Sequence, residues 1–243
     1  MSSPLLSIQA QQFIDSVLAL KPCLAVFDCD GTLWSGDAGK DFFYWEMDRG
    51  LIAPEFADKM RARYALYEAG QVDEEPMCAE MVTMNRGLRC ELLYQAAKEF
   101  FEEVIVSRIF PEMLELTTTL QQQGTELWAV SSTNNWLVEY GAERFGIARD
   151  HVLAACVHVD TGCATDRIVR VPTDEMKAVA IREVIGQPVD AVFGNSIHDY
   201  AMLDLAKWPF CINPNPDLQK LAEAKNWRVY WPRQFGASRY SFE

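Results

Sequence analysis

Positive charge is in short supply in this 243-residue chain: 22 lysines and arginines stand against 35 aspartates and glutamates, a formal net charge of −13. Nucleic acid is held through clustered Lys and Arg, so this balance argues against it as a partner. It leaves room for a small anionic substrate, because a local cationic cluster or a bound cation outweighs a distant field. Histidine is scarce too, with three copies. Seven cysteines are scattered through the chain, an odd number, and none forms a C-x-x-C pair. That pattern suits a reducing compartment without zinc or structural disulfides. No apolar run approaches the length of a membrane span. The N-terminal "MSSPLLSIQAQQFIDSVLAL" lacks a basic n-region and a continuous apolar stretch. The expectation is a soluble, cytoplasmic protein with no membrane partner. Repeats and low-complexity tracts are absent as well.

What is present is an ordinary globular composition, 49% apolar and 23% charged. The length suits one large domain, or a core with a smaller insertion. Residues 6–20 have the spacing of an amphipathic helix ended by Pro22, and "CLAVFD" at 23–28 has the continuous apolar pattern of a strand buried on both faces. Residues 38–105 are aromatic, charged and helix-periodic, which predicts about four helices and no strand. A further helix runs from Pro111 to Gly124.

Beyond it, strands and helices alternate. "TELWAVSS" (125–132), "HVLAACVHV", "VDAVFGN" (189–195), "PFCIN" and "WRVYW" read as strands, the second of them as a candidate edge strand. Helices are expected over "NNWLVEYGAERFG", over "TDEMKAVAIREVIG" with Thr173 as N-cap, and over "HDYAMLDLA". The rhythm is that of an α/β protein, a Rossmann-like parallel sheet with an inserted all-helical segment.

In open α/β sheets, ligands bind beyond the carboxyl ends of the strands. The polar residues at those ends are Asp28 and Asp30, then Ser131, Ser132 and Thr133, then "GNSIHD" at 194–199, with Lys177 at the start of a helix. Two carboxylates share a small desolvated site when a cation or a proton separates them. Oxygen ligands with few histidines favour a hard cation such as Mg²⁺. A hydroxyl and an ammonium suit phosphate oxygens, and a carboxylate beside a phosphate can act as its nucleophile. Each residue taken singly also suits a plainer role. Asp28 and Asp30 fit a strand-end turn, Ser131 a helix cap, Lys177 a solvated helix lysine, Asn195 a turn, and Asp199 an N-terminal helix charge.

In order, "DCDGT", "AVSS", a lysine and "GNSIHD" resemble the four motifs of haloacid dehalogenase-like phosphatases. The helical insertion resembles the cap of the phosphoserine-phosphatase-like branch. The resemblance implies a core of residues 1–34 and 108–243 with a cap of residues 35–107. It implies a Mg²⁺-dependent phosphatase that cleaves a small phosphorylated metabolite through an aspartyl-phosphate. Asp28 would be nucleophile and metal ligand. Asp30 would be general acid and base, with its carbonyl on the metal. Ser131, Ser132 and Lys177 would bind the phosphoryl group, and Asn195 and Asp199 would complete the metal site. Asn195 stands where the family usually has aspartate, which implies weaker metal binding.

The resemblance also points to substrate contacts. Asp37 falls where the branch meets a substrate amine, and Arg86 lies near its carboxylate-binding arginine. Trp34 is a candidate for the site entrance or for packing between cap and core. Phe42, Phe43 and Trp45 are candidates for holding a quaternary ammonium or for packing the cap. Phosphoserine-like and phosphocholine-like substrates both follow from these readings. A phosphotransferase and a non-catalytic phosphometabolite-binding protein are the alternatives.

Overall fold

A computed structural model describes residues 6–233. The outer limits of the expected core, residues 1 and 243, lie outside this range. The chain opens with helix α1 (Ile8–Leu18) and strand β1 (Leu24–Phe27). The Ser7 hydroxyl accepts from the Ala10 N–H at 3.1 Å, so a side chain satisfies one of the free donors of the first turn. Four helices follow: α2 (Ala38–Asp48), α3 (Pro54–Glu68), α4 (Glu74–Thr83) and α5 (Cys90–Phe100). Then come α6 (Pro111–Gln122), β2 (Glu126–Asn134), α7 (Asn135–Glu143), β3 (Val152–Asp160) and β4 (Cys163–Arg170). The chain continues through α8 (Glu175–Ala180), β5 (Ala191–Gly194), α9 (Tyr200–Leu203), β6 (Trp208–Ile212), α10 (Pro216–Lys225) and β7 (Arg228–Tyr230).

The strands form one seven-stranded sheet in the order β4-β3-β2-β1-β5-β6-β7. Every pairing is parallel except that of β3 with β4. The central strand β1 sends alternate residues into two cores. Ala25 and Phe27 enter one, and Leu24 and Val26 enter the other. This is why the run reads as uninterrupted apolar text. On the first face the rings of Phe27, Phe193 and Phe210 stack across three neighbouring strands at 4.4 and 4.8 Å.

Helices α2–α5 form an all-helical cap inserted between β1 and the rest of the sheet. Phe43, Met47, Met60, Tyr64 and Met77 build a core of its own. Phe42 and Trp45 turn instead to the main core. The "DFFYWEM" aromatics are therefore packing residues. Their rings are spent on neighbouring rings, such as Phe42 on Phe100 at 5.2 Å. The cap is hydrogen-bonded to the sheet edge. The Gly87 N–H donates to the Ala164 carbonyl at 2.8 Å, and the Cys90 N–H to the Gly162 carbonyl at 2.9 Å.

Several expectations need correction. β3 is an interior strand, because "CATDRIVR" adds β4 outside it. Helix α10 was not anticipated. Asp174, with φ +48°, takes the N-cap position of α8 expected for Thr173. Among the described residues no helix is long and apolar enough to cross a membrane. All seven cysteines are free.

Candidate active site

The carboxyl ends of β1, β2 and β5 meet the N-terminal part of α8 and the inner wall of the cap. Between them lies a cavity of about 230 Å³. Asp28 follows β1 directly, and its N–H donates to the Phe193 carbonyl at 2.8 Å, an extension of the β1–β5 pairing. One carboxylate oxygen, Oδ1, accepts from Lys177 Nζ at 2.8 Å, and Oδ2 accepts from the Thr32 hydroxyl at 3.0 Å. Cys29 points away into the core below, fully buried. Gly31 then turns the chain with φ +74°.

Lys177 is buried between two carboxylates. Its Nζ also donates to Asp199 Oδ1 at 2.5 Å. Burial alone would lower its pKa, but the charges of Asp199 and Asp28 raise it, so the ammonium is held. Burial likewise pushes Asp28 up to about 7, with the Asp199 charge adding to the rise and Lys177 opposing it.

Asp30 is enclosed differently. Its Oδ1 accepts from Trp34 Nε1 at 2.6 Å and from the Ala38 N–H at 2.7 Å; its Oδ2 accepts from the Thr133 hydroxyl at 2.9 Å. Burial raises its pKa, and these three donors pull it back.

Ser131 is buried at the end of β2 and accepts from the Thr133 N–H at 3.2 Å. Ser131, Ser132 and Asn195 all line the cavity, as does Asp37, the N-cap of α2. Asp37 Oδ1 accepts from the Lys40 N–H at 2.7 Å. Burial, followed by the nearby Asp30 charge, pushes Asp37 up to about 7.

Three expected site residues have different placements. Asp199 is fully buried and does not line the cavity. Its second oxygen, Oδ2, accepts from the Asn195 and Ser196 N–H groups at 2.8 and 3.0 Å. Both oxygens are engaged by protein donors, so Asp199 anchors Lys177 and the 195–196 backbone. Trp34 is fully buried and packs edge-on to Phe101 at 5.4 Å. It lies behind Asp30 and orients it, away from any entrance. Arg86 pairs with Asp166 at 2.7 Å on the outer surface, with its side chain 69% exposed, and does not line the cavity.

Sequence reasoning missed Tyr64, Tyr67 and Glu74, which line the cap side of the cavity. No motif marks them. Only the fold of α3 against α4 brings them to the site.

The residues present fit a hard cation. Two buried carboxylates, Asp28 and Asp199, share the single Lys177 ammonium, which leaves a negative excess. Asn195 sits hard against the turn: a Cβ on Gly31 would fall 1.9 Å from its Nδ2. The glycine thus leaves room for an amide next to Asp28. Among the described residues no group of three or more His, Cys, Asp or Glu side chains is arranged to hold a metal. A cation here would draw on carbonyl, amide, water and substrate oxygens beside Asp28, the style of Mg²⁺.

The chain is 24% identical over 217 residues to a histidinol-phosphatase of Neisseria meningitidis, covering 85% of this chain and 97% of the relative. It is 24% identical over 220 residues to a phosphoserine phosphatase of Mycobacterium tuberculosis, covering 84% and 69%. A solved structure from Bordetella pertussis, a protein of unknown function, shares the fold with a TM-score of 0.74 at 23% identity, covering 85% of this chain and 96% of that one. A family model of haloacid dehalogenase-like hydrolases matches residues 25–204, and the chain belongs to that family.

Proposed function

We propose that the protein is a Mg²⁺-dependent phosphomonoester hydrolase working through an aspartyl-phosphate on Asp28, with residues 35–107 as its cap. The observation that carries this reading is the Asp28 carboxylate, held by Lys177 at 2.8 Å at the floor of a cavity that Asp30 and Ser131 also line. Asp28 attacks phosphorus, and the bond from phosphorus to the leaving oxygen breaks. Asp30 gives its proton to that oxygen. In the second step water attacks phosphorus, its proton passes to Asp30, and the bond to Asp28 breaks to release phosphate. The raised Asp30 pKa supports the acid role. The Thr133 hydroxyl beside it can donate to the carboxylate or accept from the acid.

Lys177 and the hydroxyls of Ser131 and Ser132 offer donors to the phosphoryl oxygens. The Asp28 carboxylate, the Asp30 carbonyl and the Asn195 side chain are the candidate holders of Mg²⁺. When bound, the cation supplies positive charge against the phosphoryl oxygens. The cap wall limits water around the reacting atoms.

The test is hydrolysis of p-nitrophenyl phosphate with Mg²⁺, compared with Asp28→Asn. Turnover in the native chain, with a loss of about 10³-fold or more in the variant, supports the reading. Equal turnover in both removes Asp28 as nucleophile. Product partitioning toward an added acceptor alcohol would identify a phosphotransferase.

A further inference from the structure

The leaving group of any ester whose phosphorus reaches Asp28 must occupy the rest of the same cavity. Its volume is about 230 Å³. That admits a phosphoryl group with a short leaving group. The cap side of this space has a definite chemistry. Asp37 is exposed and lines the cavity, and its Oδ1 is met by the Lys40 N–H. Glu74 faces it from α4, held by the Tyr67 hydroxyl on one oxygen and weakly by the Cys78 thiol at 3.6 Å on the other. Tyr64 and Tyr67 meet edge-on at 5.4 Å, and Met77 and Met81 extend the wall.

The lysines and the histidine around the cavity each have a carboxylate partner. Lys177 is bound by Asp28 and Asp199, Lys40 Nζ lies 2.5 Å from Glu68, and His198 Nδ1 lies 2.7 Å from Asp174. Among the described residues lining the cavity there is no arginine. A substrate carboxylate would meet Asp37 and Glu74 with no free partner. Lys40 also lies over the Tyr64 ring at 5.7 Å, so this aromatic surface already receives an ammonium.

We propose that the cap side of the cavity is a cation subsite, in which Asp37, Glu74, Tyr64 and Tyr67 receive a positively charged, carboxylate-free leaving group, an organic ammonium or imidazolium. The inference rests on the phosphatase reading above and names its substrate class. Opposite charge and the tyrosine rings favour the cation, and the thioethers accommodate its alkyl or ring carbons. Glu74 and Tyr67 select the substrate and take no part in bond breaking.

The test measures kcat/KM for phosphocholine, phosphoethanolamine, histidinol phosphate, O-phosphoserine and glycerol 3-phosphate, in the native protein and in Glu74→Gln and Tyr67→Phe. At least one cationic ester should exceed both O-phosphoserine and glycerol 3-phosphate by about tenfold or more. Glu74→Gln should lower the ratio of that ester to glycerol 3-phosphate by about tenfold, mainly through KM. A preference for O-phosphoserine, or an equal loss on every ester in Glu74→Gln, overturns the subsite while leaving the phosphatase reading intact. If the native protein hydrolyses no ester at all, the phosphatase reading fails separately. The subsite is then judged by calorimetric titration of choline, ethanolamine and histidinol. Binding of at least one of them that Glu74→Gln weakens supports it, and absence of binding by all three overturns it.

Discussion

Replacing Asp199 by asparagine removes one of the two anions that hold the buried Lys177 ammonium. The native carboxylate has two jobs: Oδ1 meets Lys177 Nζ at 2.5 Å, while Oδ2 receives two backbone N–H groups. An amide has a single acceptor oxygen, so it can meet the lysine or the backbone but not both, and its NH₂ faces donors on the other side. Breaking one partner of a buried pair costs about 3–5 kcal/mol. At about 2–4 °C per kcal/mol for a chain of this size, Tm falls by about 6–20 °C. Lys177→Met, which strands Asp28 and Asp199 together, should cost a similar amount. Because the two side chains touch, the double variant should lose less than the sum of the single ones by about 0.5–3 kcal/mol. Urea unfolding in chelator-treated buffer, followed by tryptophan fluorescence, measures all three. A loss below about 1 kcal/mol for Asp199→Asn, or strict additivity in the cycle, would refute the anchoring role.

Gly31→Ala places a Cβ at φ +74° and 1.9 Å from Asn195 Nδ2; it should cost about 1–2 kcal/mol from the backbone alone and weaken Mg²⁺ binding about tenfold or more, and an unchanged calorimetric titration refutes the cradle. Asn195→Asp adds a negative charge beside Asp28 and should tighten Mg²⁺; no change would show that Asn195 is not a ligand. In the cap, Glu46 is buried with Oε2 unpartnered, as is the Oδ1 of buried Asn85. Burial raises the Glu46 pKa well above its ordinary value, against a hydrogen bond from Asn85 that lowers it. Its stabilising contribution is therefore complete below the unfolded-state pKa and lost as pH rises through the folded-state one. Glu46→Gln should gain about 1–3 kcal/mol over the native protein at pH 8 and little near pH 4; parallel Tm–pH curves refute it.

Much of the fold was legible because its signals are local. β1 is buried on both faces and so is apolar throughout, and the cap helices carry their own period. β4 escaped notice because half of its residues are exposed and only one is buried, which leaves no apolar alternation to read. The site divides the same way. Asp28, Asp30, Ser131 and Asn195 sit at strand ends, where chain direction dictates that functional groups gather. Lys177 joins them from the start of α8, 149 residues after Asp28.

The placements that follow from long-range contact were another matter. Asp199 is spaced like a site residue, and the fold shows where its oxygens go: one to the backbone of its own turn, the other to Lys177. Trp34 suits either the entrance or packing by sequence alone, and its contact with Phe101 decides for packing; Arg86 is drawn to the outer surface by Asp166. The sequence by itself determined the layered α/β order and the acidic pair after β1, since burial period and turn chemistry act over a few residues. Only the tertiary structure decided which further side chains line the cap wall, because Tyr64, Tyr67 and Glu74 join Asp37 at a common cavity through packing between helices, which no local pattern encodes.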